Sequence, residues 1–101
     1  MNVSITARKF KAHDSLKDHI KKELSSLRKY NDDITRADVI LSYQNHRDSI
    51  KTAEITLHVP GQTLNATDNS DDFKKSINSS IEKLTRQLKT LKSKRVSYRN
   101  D

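Results

Sequence analysis

The sequence predicts an α+β fold in the order β-α-β-β-β-α, with two helices packed on one face of a four-stranded mixed sheet. Three observations carry this. Four segments alternate apolar and polar residues at the strand period, and two repeat apolar residues every three or four positions, the helical period. Every element has one apolar side only. A single sheet covered on one face by both helices is the economical way to bury all six.

Val3, Ile5 and Ala7 alternate with Ser4 and Thr6 and predict the first strand. A basic loop follows, with Arg8, Lys9 and Lys11 around Phe10. His13 or Asp14 is placed to cap the first helix, Asp being the better acceptor. Leu16, Ile20, Leu24 and Leu27 form its apolar face, which ends near Tyr30, and "YNDDIT" breaks the pattern. Ala37, Val39, Leu41 and Tyr43 mark the second strand, and "QNHRDS" reads as a loop or hairpin end. Ala53, Ile55, Leu57 and Val59 mark the third. Pro60–Gly61 signals a tight turn, and Gln62 to Thr67 forms a short fourth strand with Leu64 and Ala66 inward. Ser70 is the expected N-cap of the last helix, with Asp71 and Asp72 in the first turn, where the helix dipole favours acids. Phe73, Ile77, Ile81, Leu84, Leu88 and Leu91 fall on one stripe of that helix. The first two strands are expected to be parallel, joined by a right-handed crossover, and the others antiparallel.

One domain is expected for 101 residues. At 32% hydrophobic and 33% charged the chain is polar, but its clear periodicities oppose disorder. It has no Cys, so disulfides, thiolate zinc sites and cysteine nucleophiles are excluded, in keeping with a reducing, cytoplasmic setting. "MNVSITARKF" lacks the apolar region of a secretory signal, and no apolar run approaches a membrane span. The triplets starting at Asn2, Asn65 and Asn78 match the glycosylation pattern, which carries no meaning in a cytoplasmic chain.

The charge is concentrated. Residues 74–99 hold nine Lys or Arg and one acid, Glu82, a balance of +8; the remainder holds eleven basic and twelve acidic residues, a balance of −1. The net +7 therefore comes from one helix. A solvated helix face is the bland explanation for a charge run. Concentration in a single segment favours a polyanionic partner instead. Lys75, Arg86 and Lys89 lie opposite the apolar stripe, with Lys83 and Lys94 along a flank. The stripe thus holds the helix on the sheet while the outer face stays available.

Enzyme chemistry finds little support. His13, His19, His46 and His58 lack metal-ligand spacing, and the His19–Glu23 pair is completed by nothing, so surface histidines are the better reading. "DNSDDF" lacks the glycine and distal glutamate of a calcium loop. A single Gly excludes a Gly-rich phosphate cradle. No cofactor and no metal are expected. Five aromatic residues give no broad base-stacking platform; Tyr98, between Val96 and Arg99, is better read as part of a frayed tail than as a stacking residue. This points to backbone and shape recognition, as expected for folded RNA, rather than single-strand readout. Membrane-surface binding is disfavoured, because the stripe lacks Trp and is committed to the core.

"AEITLHVPGQTLNATDNSDDFKKSINSSIEKLTRQLKTLKSK", preceded in order by "ITA", "SLKDHIKKELSSLRKY" and "ADVILS", resembles the ribosome hibernation-promoting factor and ribosome-associated translation inhibitor family over residues 1 to about 95. The resemblance implies a fold similar in part to double-stranded-RNA-binding domains. It also implies binding to the small ribosomal subunit and its rRNA, between head and body, where tRNA and mRNA are excluded and translation is silenced in stress or stationary phase. Family basic positions match Lys83, Arg86, Lys92 and Lys94. Lys75 is added here, Lys89 and Arg95 extend the surface, and Lys21, Lys22 and Arg28 join it from the first helix. The family's Asp-Met-Tyr-Ala-Ala-Ile-Asp is replaced by Asp72-Phe73-Lys74-Lys75-Ser76-Ile77-Asn78, which loses a tyrosine and the terminal acid but gains two lysines. The expected organisation is one ribosome-binding domain, residues 1–95, and a flexible basic tail, residues 96–101. The chain matches a short form without the dimerising C-terminal domain, so the free protein is expected to be monomeric, with no small-molecule substrate. The rival functions are a generic double-stranded-RNA-binding module and a regulator that docks its basic helix on an acidic protein.

Overall fold

A computed structural model describes residues 1–44 and 50–99, with side chains through residue 92. The element order is β1 (Asn2–Ala7), α1 (Asp14–Ser26), β2 (Arg36–Gln44), β3 (Ile50–Val59), β4 (Gln62–Ser70) and α2 (Phe73–Arg99). One turn of 3-10 helix, Leu27–Lys29, extends α1. The strands form one sheet in the order β1-β2-β3-β4. β1 and β2 are parallel, and the other two pairs are antiparallel. This is the predicted architecture.

The register follows from strand alternation. Val3, Ile5 and Ala7 pair with Ala37, Val39 and Leu41, which pair in turn with Leu57, Ile55 and Ala53; Leu64 and Ala66 complete the rows from β4. A slip of one residue would turn every apolar side chain to the wrong face. Ile20, Leu24 and Leu27 of α1 and Ile77, Leu84 and Leu88 of α2 close the same core, each no more than 1% exposed. Each such burial contributes about 1.5–3 kcal/mol. Gly61, at φ +84°, occupies the second position of the two-residue β3–β4 turn after Pro60. Nothing lies within 4 Å of where its Cβ would be, so backbone conformation, not space, calls for glycine there.

Three local expectations are corrected and a fourth, the choice between His13 and Asp14, is narrowed. The β4 strand runs on to Ser70, because Asp68, Asn69 and Ser70 complete the ladder with Ala53, Thr52 and Lys51; tertiary pairing overrides their turn-forming character. Ser70 is therefore not the cap of α2. Asp72 takes that place, accepting the Lys74 N–H at 3.1 Å, while the Ser70 hydroxyl accepts the Asp72 N–H. Asp71 and Asp72 precede the first turn rather than lying in it. At α1 the N-cap position belongs to His13, which makes no side-chain cap bond, and Asp14 begins the helix.

Two small polar residues draw α2 close to the sheet. Ser76 and Ser80 are fully buried, and their hydroxyls donate to the carbonyls of Lys51 (2.6 Å) and Ala53 (3.0 Å) on β3. The methyl-sized Ala53 and Ala66 on the facing strands leave room for this approach.

Candidate nucleic-acid interface

The buried stripe of α2 fixes what its other sides present. Its far side carries Lys75 and Arg86, both exposed and both paired one helical turn back, Lys75 with Asp71 (3.2 Å) and Arg86 with Glu82 (2.7 Å). Such exposed pairs contribute only about 0.3–0.5 kcal/mol, so a phosphate can displace them. On the flank over β4, Lys83 donates to the Thr67 carbonyl (2.9 Å) and lies 3.4 Å from Asp68. Gln87 reinforces that flank by donating to the Asn65 carbonyl. Lys83 is thus partly spent on holding α2 to the sheet.

The other flank of α2 faces α1, which it meets through His19 and Asn78, 2.9 Å apart. Here Lys89 and Lys92 are exposed and, among the described residues, have no acidic partner within 4 Å. The Lys89 ammonium lies 5.6 Å from the centre of the Tyr30 ring, and that of Lys29 lies 5.3 Å from it. Two cations held near one ring tie the end of α1 to the second half of α2. Lys92 lines a cavity of about 280 Å³ with Tyr30, Asn31, Asp32, Asp33, Leu88 and Leu91.

Lys21 and Arg28 occupy the opposite flank of α1, where they line a concavity with Met1, Asn2, Val3 and Ser25 beside β1. Lys22 is exposed on the outer side of that helix. Since β1 and β4 are opposite edges of the sheet, Lys21 and Arg28 do not join Lys83; three strand spacings, about 14 Å, separate those edges. Lys22 aside, the predicted residues with described side chains fall into three groups: an edge pair by β1, the Lys89–Lys92 group at the helix seam, and the acid-paired Lys75, Lys83 and Arg86 on the outer side and β4 flank of α2. Lys94 and Arg95 lie on the last turns of α2, with side chains outside the described residues. Tyr98 and His46 lie outside them in the same way.

Lys29 and Tyr30 escaped the sequence reading, because a residue closing a helix gives no sign of which ring or charge it will meet. The other charged constellation sits on the exposed face of the sheet. There Asp38 accepts from Arg36 (2.7 Å) and meets His58 (2.9 Å), and these two bonds hold its carboxyl below the ordinary aspartate value. His19 and His58 are thus both structural hydrogen-bonding residues. Among the described residues no three metal-ligating side chains converge, and no helix is long and apolar enough to cross a membrane. What the helix surface offers chemically is positive charge: ammonium groups as point charges and guanidinium groups capable of two-pronged contact with phosphate.

A four-stranded sheet backed by two helices, with cations over the helical side, defines a class of small basic sheet-and-helix domains. The chain belongs to the Sigma 54 modulation protein / S30EA ribosomal protein family, whose model matches residues 3–96. It is 31% identical over 96 residues to a ribosome hibernation promoting factor of Azotobacter vinelandii, covering 95% of this chain and 87% of that one. It is 27% identical to a ribosome hibernation promotion factor of Bacillus subtilis, of which it spans half the length and which covers 93% of this chain. Its fold is similar to that of a ribosomal subunit interface protein from Coxiella burnetii, with a TM-score of 0.84, 25% identity, and coverage of 92% of this chain and 99% of that one. It is also similar to the N-terminal domain of Protein Y from Thermus thermophilus, with a TM-score of 0.81, 26% identity, and coverage of 90% and 99%.

Proposed function

We propose that this protein is a cytoplasmic, non-enzymatic hibernation factor that binds the small ribosomal subunit through its rRNA and silences translation in stress or stationary phase. The observation that carries the reading is the division of α2. Its inner side is committed to the core while exposed lysines and arginines cover the outside, on a chain of this family. The mechanism is occlusion. A folded, basic wedge occupies the decoding channel, its ammonium and guanidinium groups neutralise rRNA phosphates, and tRNA and mRNA are excluded. The free protein is a monomer, because both helices spend their apolar sides on one sheet.

The experiment is a titration into a cell-free translation system, with and without prebound initiator tRNA, followed by a high-salt wash. Inhibition should be stoichiometric, weaker on ribosomes that already hold tRNA, and reversed by the wash. Sub-stoichiometric or persistent inhibition, or indifference to bound tRNA, counts against occlusion. Equal affinity for small subunits and for a plain RNA duplex would point to a generic duplex-binding module.

A further inference from the structure

The loop between β1 and α1 is held in an unusual way. Lys9 has φ +65°, a left-handed backbone that costs a non-glycine residue conformational energy and persists only where its surroundings impose it. On one side of it the Arg8 N–H donates to the Leu41 carbonyl at 2.9 Å. On the other, Phe10 stacks on Phe73, with centroids 5.0 Å apart and planes 15° apart, and meets Tyr43 edge to face at 5.5 Å. The kink therefore sends Phe10 inward, while Arg8, Lys9 and Lys11 are all exposed. The stack also fastens the loop to the first turn of α2, where exposed Lys74 follows Phe73 directly.

Among the described residues, none of these four cations has an acid within 4 Å. Of the acids close in sequence, Asp71 pairs with Lys75 and Asp72 caps α2, while Asp14 lies in the first turn of α1. Tyr43 is 38% exposed, one of few large hydrophobic residues open to solvent. An exposed aromatic ring packed against the loop that carries three of these cations, on a backbone fixed in advance, suits one partner chemistry. Phosphates meet the cations, and an unstacked base lies on the ring.

We infer that Arg8, Lys9, Lys11, Lys74 and Tyr43 form a second RNA contact, for a single-stranded segment, at the opposite end of α2 from Lys89 and Lys92. Lys74 and Lys92 are separated by 18 helical steps, about 27 Å at 1.5 Å each, so the two contacts reach separate stretches of RNA. The inference rests on the rRNA-binding reading and adds a single-strand site to it. A duplex would gain only the phosphate contacts, because its bases are already stacked.

The test is an amide-shift titration of the 15N-labelled full chain with an eight-nucleotide adenosine RNA at low salt. Shifts at Arg8 to Lys11, Lys74 and Tyr43, with upfield movement of the Tyr43 ring protons, support the site. Shifts confined to α1 and the second half of α2, or equal shifts with poly-glutamate, overturn it. Tyr43→Leu keeps an apolar side chain against Phe10 and should weaken this RNA about fivefold or more, the value of one base stack. Arg8→Gln with Lys11→Gln should flatten the salt dependence of small-subunit binding by about 1.4 units in log-log slope, the single-strand value for two contacts. If these variants bind subunits as wild type does, while Lys89→Gln with Lys92→Gln binds weakly, the loop site is wrong and the function stands. If every variant binds as wild type does, both are wrong.

Discussion

The two sides of α2 obey opposite rules. On the inner side, position is everything. Ile77, Leu84 and Leu88 are almost wholly enclosed, and Ser76 and Ser80 spend their hydroxyls on two carbonyls of β3. On the outer side, charge matters more than position, and the cations differ chiefly in whether the fold already uses them. Lys75, Lys83 and Arg86 each have an acid within 4 Å, whereas among the described residues Lys89 and Lys92 have none that close, although Lys92 shares a cavity with Asp32 and Asp33. Equal charges on one helix are therefore unequal as phosphate ligands. A cation's availability depends on what it must let go.

The sharpest way to break this comparison is to put a charge on the wrong side. Leu84→Asp leaves an unpaired carboxylate in a fully enclosed site and should abolish the cooperative melt, since its cost rivals the whole stability of a small domain. A thermal transition near that of wild type, followed by circular dichroism, would mean that the stripe is not core.

Next in size is the contrast among the outer cations. Lys89→Gln with Lys92→Gln should leave the fold intact and flatten the salt dependence of ribosome binding by about one and a half to two units in log-log slope. Lys75→Gln with Arg86→Gln should flatten it less, because Asp71 and Glu82 already offset those charges. The reverse ranking in co-sedimentation across a salt series would defeat the argument from pairing.

A smaller effect is expected on the inner side at Ser80. Ser80→Ala removes one buried hydrogen bond but leaves the Ala53 carbonyl in its strand, so urea denaturation should show a loss of about 1 kcal/mol. An unchanged midpoint would show that the hydroxyl contributes nothing.

The smallest expected change extends the comparison to the exposed face of the sheet. The bonds from Arg36 and His58 depress the Asp38 pKa, so the stabilisation they provide is complete above the unfolded value and fades as pH falls below about 4. Asp38→Asn should therefore be less stable than wild type near neutrality and converge on it in acid. Parallel melting curves for the two proteins from neutral pH to about pH 3 would rule out that role.

The inner side of α2 was readable in advance because the helical period is a property of the chain alone. All six stripe residues lie in the core or pack against it, and Leu16, Ile20, Leu24 and Leu27 of α1 do the same. What escaped depends on partners distant in sequence. Asp68, Asn69 and Ser70 look like turn formers until β3 offers them a ladder. Ser76 and Ser80 give no sign of burial in the sequence, because their acceptors are β3 carbonyls more than twenty residues away. The cationic surface was legible as a sum, +8 over residues 74–99, but not as three separate groups. The strand order, with β1 and β4 at opposite edges, sets Lys21 and Arg28 apart from Lys83, and acid pairing divides the cations of α2 among themselves.

The two buried serine hydroxyls have one more consequence. An apolar stripe that recurs every three or four residues is nearly self-similar, so grease alone would let the helix slide along the sheet by a turn at modest cost. Each such step would carry Lys89 and Lys92 about 5.4 Å along the axis, beyond hydrogen-bond reach of any phosphate they had been holding. Ser76 and Ser80 act as a pawl against that slippage: both bonds, to the Lys51 and Ala53 carbonyls, form together at only one setting, and a slide of one turn would break at least one of them. The spacing of charges on the outside of the molecule is thus kept true by two uncharged groups on its inside.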